Sequence, residues 1–225
     1  MTLDYNIMKY TSLVTLAMAS SAYASTIIAP TGVILNTSGT VLNPIIDTIN
    51  GSGFDNGDEL LLETGDAVPG SLPGHYYIYN TGYRQFNDAT ATIVFDLGGS
   101  FNVESVILYN YAEAGSSPNR GINTVDIEFS TDGGLNYTST QATTFSQGVI
   151  SGTDVLGENV SLASTVNDVT HVRFSDMVNF GGTNSNITGF QEIRFVGTAA
   201  VPEPSSTALL GLAGLGLLAL RKRHS

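Results

Sequence analysis

The sequence predicts an all-β fold, a sandwich or jelly roll of antiparallel strands, with one short helical segment at each end. Three observations carry this: period-two alternation of apolar and polar residues, glycine-rich turns between the alternating runs, and a low charged fraction. In Val125-Asp126-Ile127-Glu128-Phe129 the apolar side chains fall on one face and the carboxylates on the other. His171-Val172-Arg173-Phe174 and Glu192-Ile193-Arg194-Phe195 repeat the scheme. The runs from Ala91 to Leu97 and from Ser105 to Tyr109 are denser in apolar and β-branched residues, as inner strands tend to be. Gly98-Gly99, Asp132-Gly133-Gly134, Gly181-Gly182 and the stretch from Gly51 to Gly57 read as the turns between runs. Charged residues make up 12% of the chain and glycines number 25 in 225, a β- and turn-rich balance. Neither an internal repeat nor helical periodicity is visible between the two ends.

The amino end reads as a signal peptide over residues 1–24. Lys9 precedes the apolar stretch from Thr11 to Ala19. The small residues of Ala22-Tyr23-Ala24 suit signal peptidase, which would cut between Ala24 and Ser25. Asp4 is out of place in a positive leader, so translation from Met1 or from Met8 stays open. At the carboxyl end, residues 201–225, Pro202-Glu203-Pro204 is followed by an uncharged run from Ser205 to Leu220 and then Arg221-Lys222-Arg223. As a helix that run would reach ~24 Å, short of a hydrocarbon core of roughly 30 Å. The basic cluster would stay cytoplasmic, which places the main domain outside the inner membrane.

This three-part tail resembles the PEP-CTERM sorting signal. The resemblance implies recognition and removal by an exosortase, with transient inner-membrane anchoring while the domain stands in the periplasm. Secretion or surface display would follow, in a Gram-negative bacterium that makes exopolysaccharide. It covers only about the last 25 residues and concerns sorting alone.

Residues 25–200 form the expected exported domain, with four Arg, no Lys and 18 acidic residues, a net charge of −14. Nucleic-acid binding needs a basic footprint, which this segment lacks. Such a surface repels acidic polymers at low salt and attracts divalent cations. The absence of cysteine excludes disulfides, thiolate metal sites and thiol nucleophiles, and three His remain for acid–base or metal chemistry.

Within this domain, Ile93-Val94-Phe95-Asp96-Leu97-Gly98 followed by Val103 to Tyr109 resembles the opening of discoidin, or F5/8 type C, domains. Val125 to Gly134 matches their strand-and-turn, and Thr170 to Phe174 with Gln191 to Gly197 match the closing strands. The resemblance spans roughly residues 90–197 and implies a discoidin-like, galactose-binding-like jelly-roll sandwich of about eight strands. Residues 26–90 match less well, and the early tryptophan common in such domains is absent. Ser130 to Tyr137 also resembles the Asp-box of sialidase-like propellers. A single copy reads instead as a hairpin turn, with Asp132 bonding backbone amides and Gly133 or Gly134 at positive φ.

Two stretches supply sugar-type chemistry, an aromatic face beside planar polar groups. One contains Tyr76 and Arg84; the other contains Asn110, Tyr111, Glu113, Asn119 and Arg120. Arg offers a fork of donors to vicinal hydroxyls, while Asn both gives and accepts. Against this, Tyr77 and Tyr79 alternate and read also as core, and Arg120 reads also as a partner of Glu113. For metal, the loop from Asp47 to Glu59 carries hard oxygen donors of the kind Ca²⁺ takes. The galactose-binding-like resemblance implies a structural calcium between such a loop and the glutamate opening the last strand, here Asp47, Asp55 and Glu192. The alternative is a plain turn, with Glu192 paired to Arg173 or Arg194. No spacing singles out a catalytic carboxylate pair and no nucleophile elbow is present, so the expected protein is not an enzyme. The expected function is non-catalytic binding of extracellular polysaccharide, or, alternatively, a structural role in a matrix or biofilm without a dedicated sugar site.

Overall fold

A computed structural model describes residues 24–54, 62–76, 83–86, 90–112, 118–151, 154–182 and 187–200. Both expected end helices, and the sorting residues Pro202, Glu203, Pro204, Arg221, Lys222 and Arg223, lie outside the described residues. Of the expected signal-cleavage pair, Ala24 and Ser25 open the described part, and the Ser25 hydroxyl donates to Glu104 at 2.6 Å.

The strands are β1 (Thr26–Ile28), β2 (Gly32–Asn36), β3 (Val41–Asn43), β4 (His75–Tyr76), β5 (Tyr83–Phe86), β6 (Thr92–Asn110), β7 (Ile122–Ser130), β8 (Ser139–Thr144), β9 (Ile150–Ser151), β10 (Asp154–Val155), β11 (Glu158–Asn179) and β12 (Ile187–Ala199). Every ladder between them is antiparallel. Nine strands share one hydrogen-bonded sheet, while β4, β10 and β9 form a separate small one.

The large sheet becomes two layers because β6 and β11 pass through both. The first part of β6 pairs with β2 and with the second part of β11, which in turn pairs with β7. The second part of β6 pairs with β12 and with the opening of β11. Gly98-Gly99, expected to end a strand, instead bends β6 without breaking it. Gly98 takes φ +72°, and a Cβ there would stand 2.5 Å from the Thr31 methyl, so only glycine fits the bend without displacement. Opposite it, β11 shifts register between Val169 and His171, next to a second shift between Val166 and Val169 where Asp168 adopts φ 58°. A bulge of this kind lets one strand turn a corner between layers.

The main core fills the space between layers. Phe95 in one layer meets Phe195 in the other edge-on at 5.8 Å between centroids, and meets Phe174 of its own layer at 5.3 Å. Each of these rings is fully buried, contributing about 1.5–3 kcal/mol by removal from water. The dense apolar run from Ser105 to Tyr109 has a clear cause. Val106 and Leu108 face this core, whereas Ile107 and Tyr109 face a second cluster with Ile27, Phe54, Leu62 and Val196 on the opposite side. That stretch of β6 is buried on both faces and shows no polar alternation.

The turn at Asp132 forms as expected. Gly133 and Gly134 take φ +78° and +83°, and the Asp132 carboxylate accepts from the Asn136 backbone N–H at 2.9 Å and its side-chain amide at 2.7 Å.

Candidate functional site

The rim where β6 ends is built around Asn110. Its side-chain amide donates to the carbonyls of Ile122 at 2.7 Å and Ser146 at 2.9 Å. Its side-chain oxygen accepts from the N–H groups of Ile122 at 2.8 Å and Tyr111 at 2.9 Å. A primary amide has two donors and two lone pairs, so all four are used. Expected to touch a sugar, Asn110 is instead a buried clamp joining the end of β6, the start of β7 and the loop after β8. Tyr111, also expected to touch a sugar, is instead 2% exposed and belongs to the interior.

The other expected sugar contacts fall around and beside this clamp. Arg84 pairs in register with Gly189 of β12, whose neighbour Phe190 pairs with Asn110, and Gly121 bridges Gly189. Backbone pairing thus gathers Arg84, Asn110 and the segment ending at Arg120 around one end of β12. Asn119 and Arg120 sit half-buried in a 3-10 turn, Pro118–Arg120, where the Asn119 carbonyl accepts from Gly181 at 2.9 Å. Tyr76 is elsewhere, on the small sheet opposite Asp154. Glu113 lies outside the described residues.

Surface hollows open beside the clamp, at residues that, Asn110 apart, the sequence did not mark. Two hollows of about 200 Å³ and about 390 Å³ share Leu156-Gly157 in their lining. The first runs past Asn110, Gln147, Val149 and Glu158; the second lies between Ser71-Leu72 and Asn159. Each wall is fixed from beneath. The Tyr109 hydroxyl donates to the Pro73 carbonyl at 2.9 Å, tying down the strap that carries Ser71 and Leu72. Glu158 accepts from the Ser146 N–H at 2.6 Å and hydroxyl at 2.8 Å, holding the loop that carries Gln147 and Val149. Gly148 packs so closely that a Cβ would stand 2.5 Å from the Tyr111 carbonyl oxygen. Leu156 and Val149, 47% and 55% exposed, leave apolar surface at the mouth beside these polar groups. Such a mixture suits a ligand with both C–H faces and hydroxyls. The groove is assembled from three distant segments by packing, and no local motif announces it.

The expected metal ligands tell a different story. Glu192 and Arg194 point to the outer face of β12 and are buried, at 0% and 1% exposure. Arg194 Nη1 donates to Glu192 Oε1, and Arg194 Nε donates to the Leu62 carbonyl at 3.0 Å. The Gly51 N–H also reaches Glu192 Oε1, at 3.4 Å. Glu192 Oε2 stands 3.6 Å from His75 Nε2, and neither atom has a hydrogen-bond partner among the described residues. Asp47 takes the Asn50 amide at 3.2 Å, and Asp55 lies outside the described residues. Calcium takes six to eight oxygens. Among the described residues one spare carboxylate oxygen beside an imidazole and a guanidinium does not by itself make that shell, and Asp55, Asp58 and Glu59 lie outside the described residues. Among the described residues no three His, Cys, Asp or Glu side chains group as a metal site. Glu192 pairs with Arg194, one of the two arginines considered as its partner.

Arg173, the other partner considered for Glu192, binds Glu128 through Nε at 2.7 Å and Nη2 at 2.8 Å and lies 4.0 Å from the Tyr137 ring centre. The Arg173 hydrogen bonds hold the Glu128 carboxyl below its ordinary value, reinforced by the Ser175 hydroxyl against burial. His171 sits at the surface of β11 with Nε2 3.9 Å from Asp96, while His75 is sealed inside.

Comparison with known proteins adds two findings. The PEP-CTERM protein-sorting motif matches residues 200–223. Solved structures with a similar chain path include the family 32 carbohydrate-binding module of Clostridium perfringens NanJ in complex with galactose, at 14% identity and TM-score 0.47, covering 77% of this chain and 99% of that one. An F5/8 type C domain from Bacteroides fragilis is similar at 14% identity and TM-score 0.46, covering 78% and 97%. The lectin binding domain of lectinolysin, in complex with Lewis b, is similar at 15% identity and TM-score 0.48, covering 76% and 96%. No curated protein matches the sequence.

Proposed function

We propose that this is an exported, non-catalytic glycan-binding protein, delivered through the membrane by its PEP-CTERM tail and processed there by an exosortase. Signal peptidase would release the amino end, and the sandwich would meet extracellular polysaccharide at the cell surface or after release. The observation that carries this reading is the groove across Leu156-Gly157. Its walls are pinned by Tyr109, Asn110 and Glu158, so it is preorganised, and its mouth sets aliphatic surface beside hydroxyl, amide and carboxylate groups.

The test is retention of the purified domain, residues 25–200, on a panel of insoluble and soluble polysaccharides, beside a Gly70→Phe variant. Gly70 lines the larger hollow, and a Cβ there meets nothing within 4 Å, so a ring can be placed at that wall without a clash at its Cβ. Retention lost in the variant supports the groove. A folded wild type that no polysaccharide retains would instead favour a structural matrix role. For the tail, replacing Pro202, Glu203 and Pro204 by alanine should leave the protein membrane-bound and unprocessed.

A further inference from the structure

Resting on the glycan-binding reading, we infer that the groove selects its ligand by charge. It takes glycan chains free of acidic substituents, and it takes those with unprotected amino groups in preference to their N-acetylated counterparts. Glu158 is the charged side chain among the residues lining the two hollows; the others are apolar, glycine or neutral polar. A uronate, sulfate or phosphate on the ligand would therefore meet a carboxylate and no lining cation. It would also have to approach a domain of net charge −14 that contains no lysine. The neutral groups are those that hydroxyls and acetamides require: Ser71, Asn159, Ser146 and Gln147.

Glu158 is also placed to act. Its two oxygens accept from the Ser146 N–H and hydroxyl, which fix the carboxylate at the groove wall without neutralising it. A carboxylate offers about four acceptor positions, so two hydrogen bonds leave capacity for an ammonium group. At a solvent-exposed site such a pair changes affinity by two- to fivefold, roughly, and weakens with salt.

The experiment compares three soluble oligomers of equal length by titration calorimetry at low and at physiological salt: de-N-acetylated chitotetraose, fully N-acetylated chitotetraose and a tetra-uronate. The expected order is amine above acetamide, with no uronate binding, and the amine advantage shrinks as salt rises. Glu158→Gln should remove the amine advantage, and Ser71→Arg should weaken the amine and admit the uronate. Gly70→Phe should abolish all binding. Uronate bound as tightly as the acetamide by the wild type would overturn charge selection. So would an amine advantage that survives both Glu158→Gln and Gly70→Phe, since it would then come from the general acidic surface. If none of the three oligomers, nor any polysaccharide of the wider panel, binds a protein that melts cooperatively, the failure belongs to the glycan-binding reading itself.

Discussion

The Asn110 side chain and the Ile122 backbone form a closed pair of hydrogen bonds, Nδ2 to the Ile122 carbonyl at 2.7 Å and Oδ1 from the Ile122 N–H at 2.8 Å. The amide imitates one rung of a ladder and lets β7 begin against the end of β6. Because both Ile122 groups are buried, their alternative to this bond is no bond. Asn110→Ala should therefore cost about 3 kcal/mol, the sum of two or three orphaned buried groups. Asn110→Asp keeps the acceptor but sets a buried carboxylate oxygen against the Ile122 and Ser146 carbonyls, and should cost at least as much as alanine at neutral pH. Urea melts measure this. A loss below about 1 kcal/mol for the alanine variant would show that water replaces the clamp.

The bend in β6 gives a separable prediction. At Gly98 an added methyl meets two obstacles, a left-handed backbone at φ +72° and the Thr31 side chain at 2.5 Å. Gly98→Ala should destabilise by about 1–3 kcal/mol. Thr31→Ser removes the obstructing methyl but keeps a hydroxyl, so Gly98→Ala should cost less in that background. An equal cost in both backgrounds would assign the whole effect to the backbone angle.

Asp132 gives a pH dependence with a definite sign. Hydrogen bonds from the Asn136 side chain, the Asn136 N–H and the Ser130 hydroxyl lower its carboxyl from 3.8 to about 2. A carboxyl depressed on folding stabilises the fold above its unfolded value and loses that contribution as pH falls toward the folded value. The difference in melting temperature between wild type and Asp132→Ala should thus be constant above pH 5, narrow below about pH 4 and level off near pH 2. Glu128, also held below its ordinary 4.5, adds to the acid loss in both proteins. A gap between the two proteins that stays constant from pH 6 to pH 2 would contradict the assignment.

Much of the fold was legible because alternation and turn chemistry are local. Val125 to Phe129 lies within β7, Glu192 to Phe195 within β12, and the Asp132 turn has the backbone its residues demand. What failed was also physical. Gly98-Gly99 looked like an end because glycine marks bends and breaks alike, and only the continuing ladder to β11 distinguishes them. Asn110 looked like a ligand contact because a planar amide serves a sugar or a backbone equally well, and its choice depends on Ile122 and Ser146, 12 and 36 residues away. The groove was invisible for the same reason, since residues from 69 to 159 meet there only after folding.

The Glu192–Arg194 pair decides how the last strand depends on calcium. A buried ion pair is costly to form, yet removing one member leaves the other charge unpaired in the interior, at about 3–5 kcal/mol. Arg194→Met should therefore destabilise severely. Adding Glu192→Gln to it should recover much of the loss, because the stranded carboxylate is gone. A double-mutant cycle reads this as a coupling of at least about 1.5 kcal/mol. The same geometry bears on metal: with the guanidinium on Glu192 Oε1 and His75 facing Oε2, a calcium ion would have to displace a cation already in place. Melting in excess chelator and in millimolar calcium should consequently give the same transition temperature for the wild type. In Arg194→Met the carboxylate is released, and calcium should then raise the transition if Asp47 and the loop after Phe54 can reach it. A calcium-dependent rise in the wild type would mean that Arg194 gives way to the ion, and that Glu192 serves the metal rather than the pair.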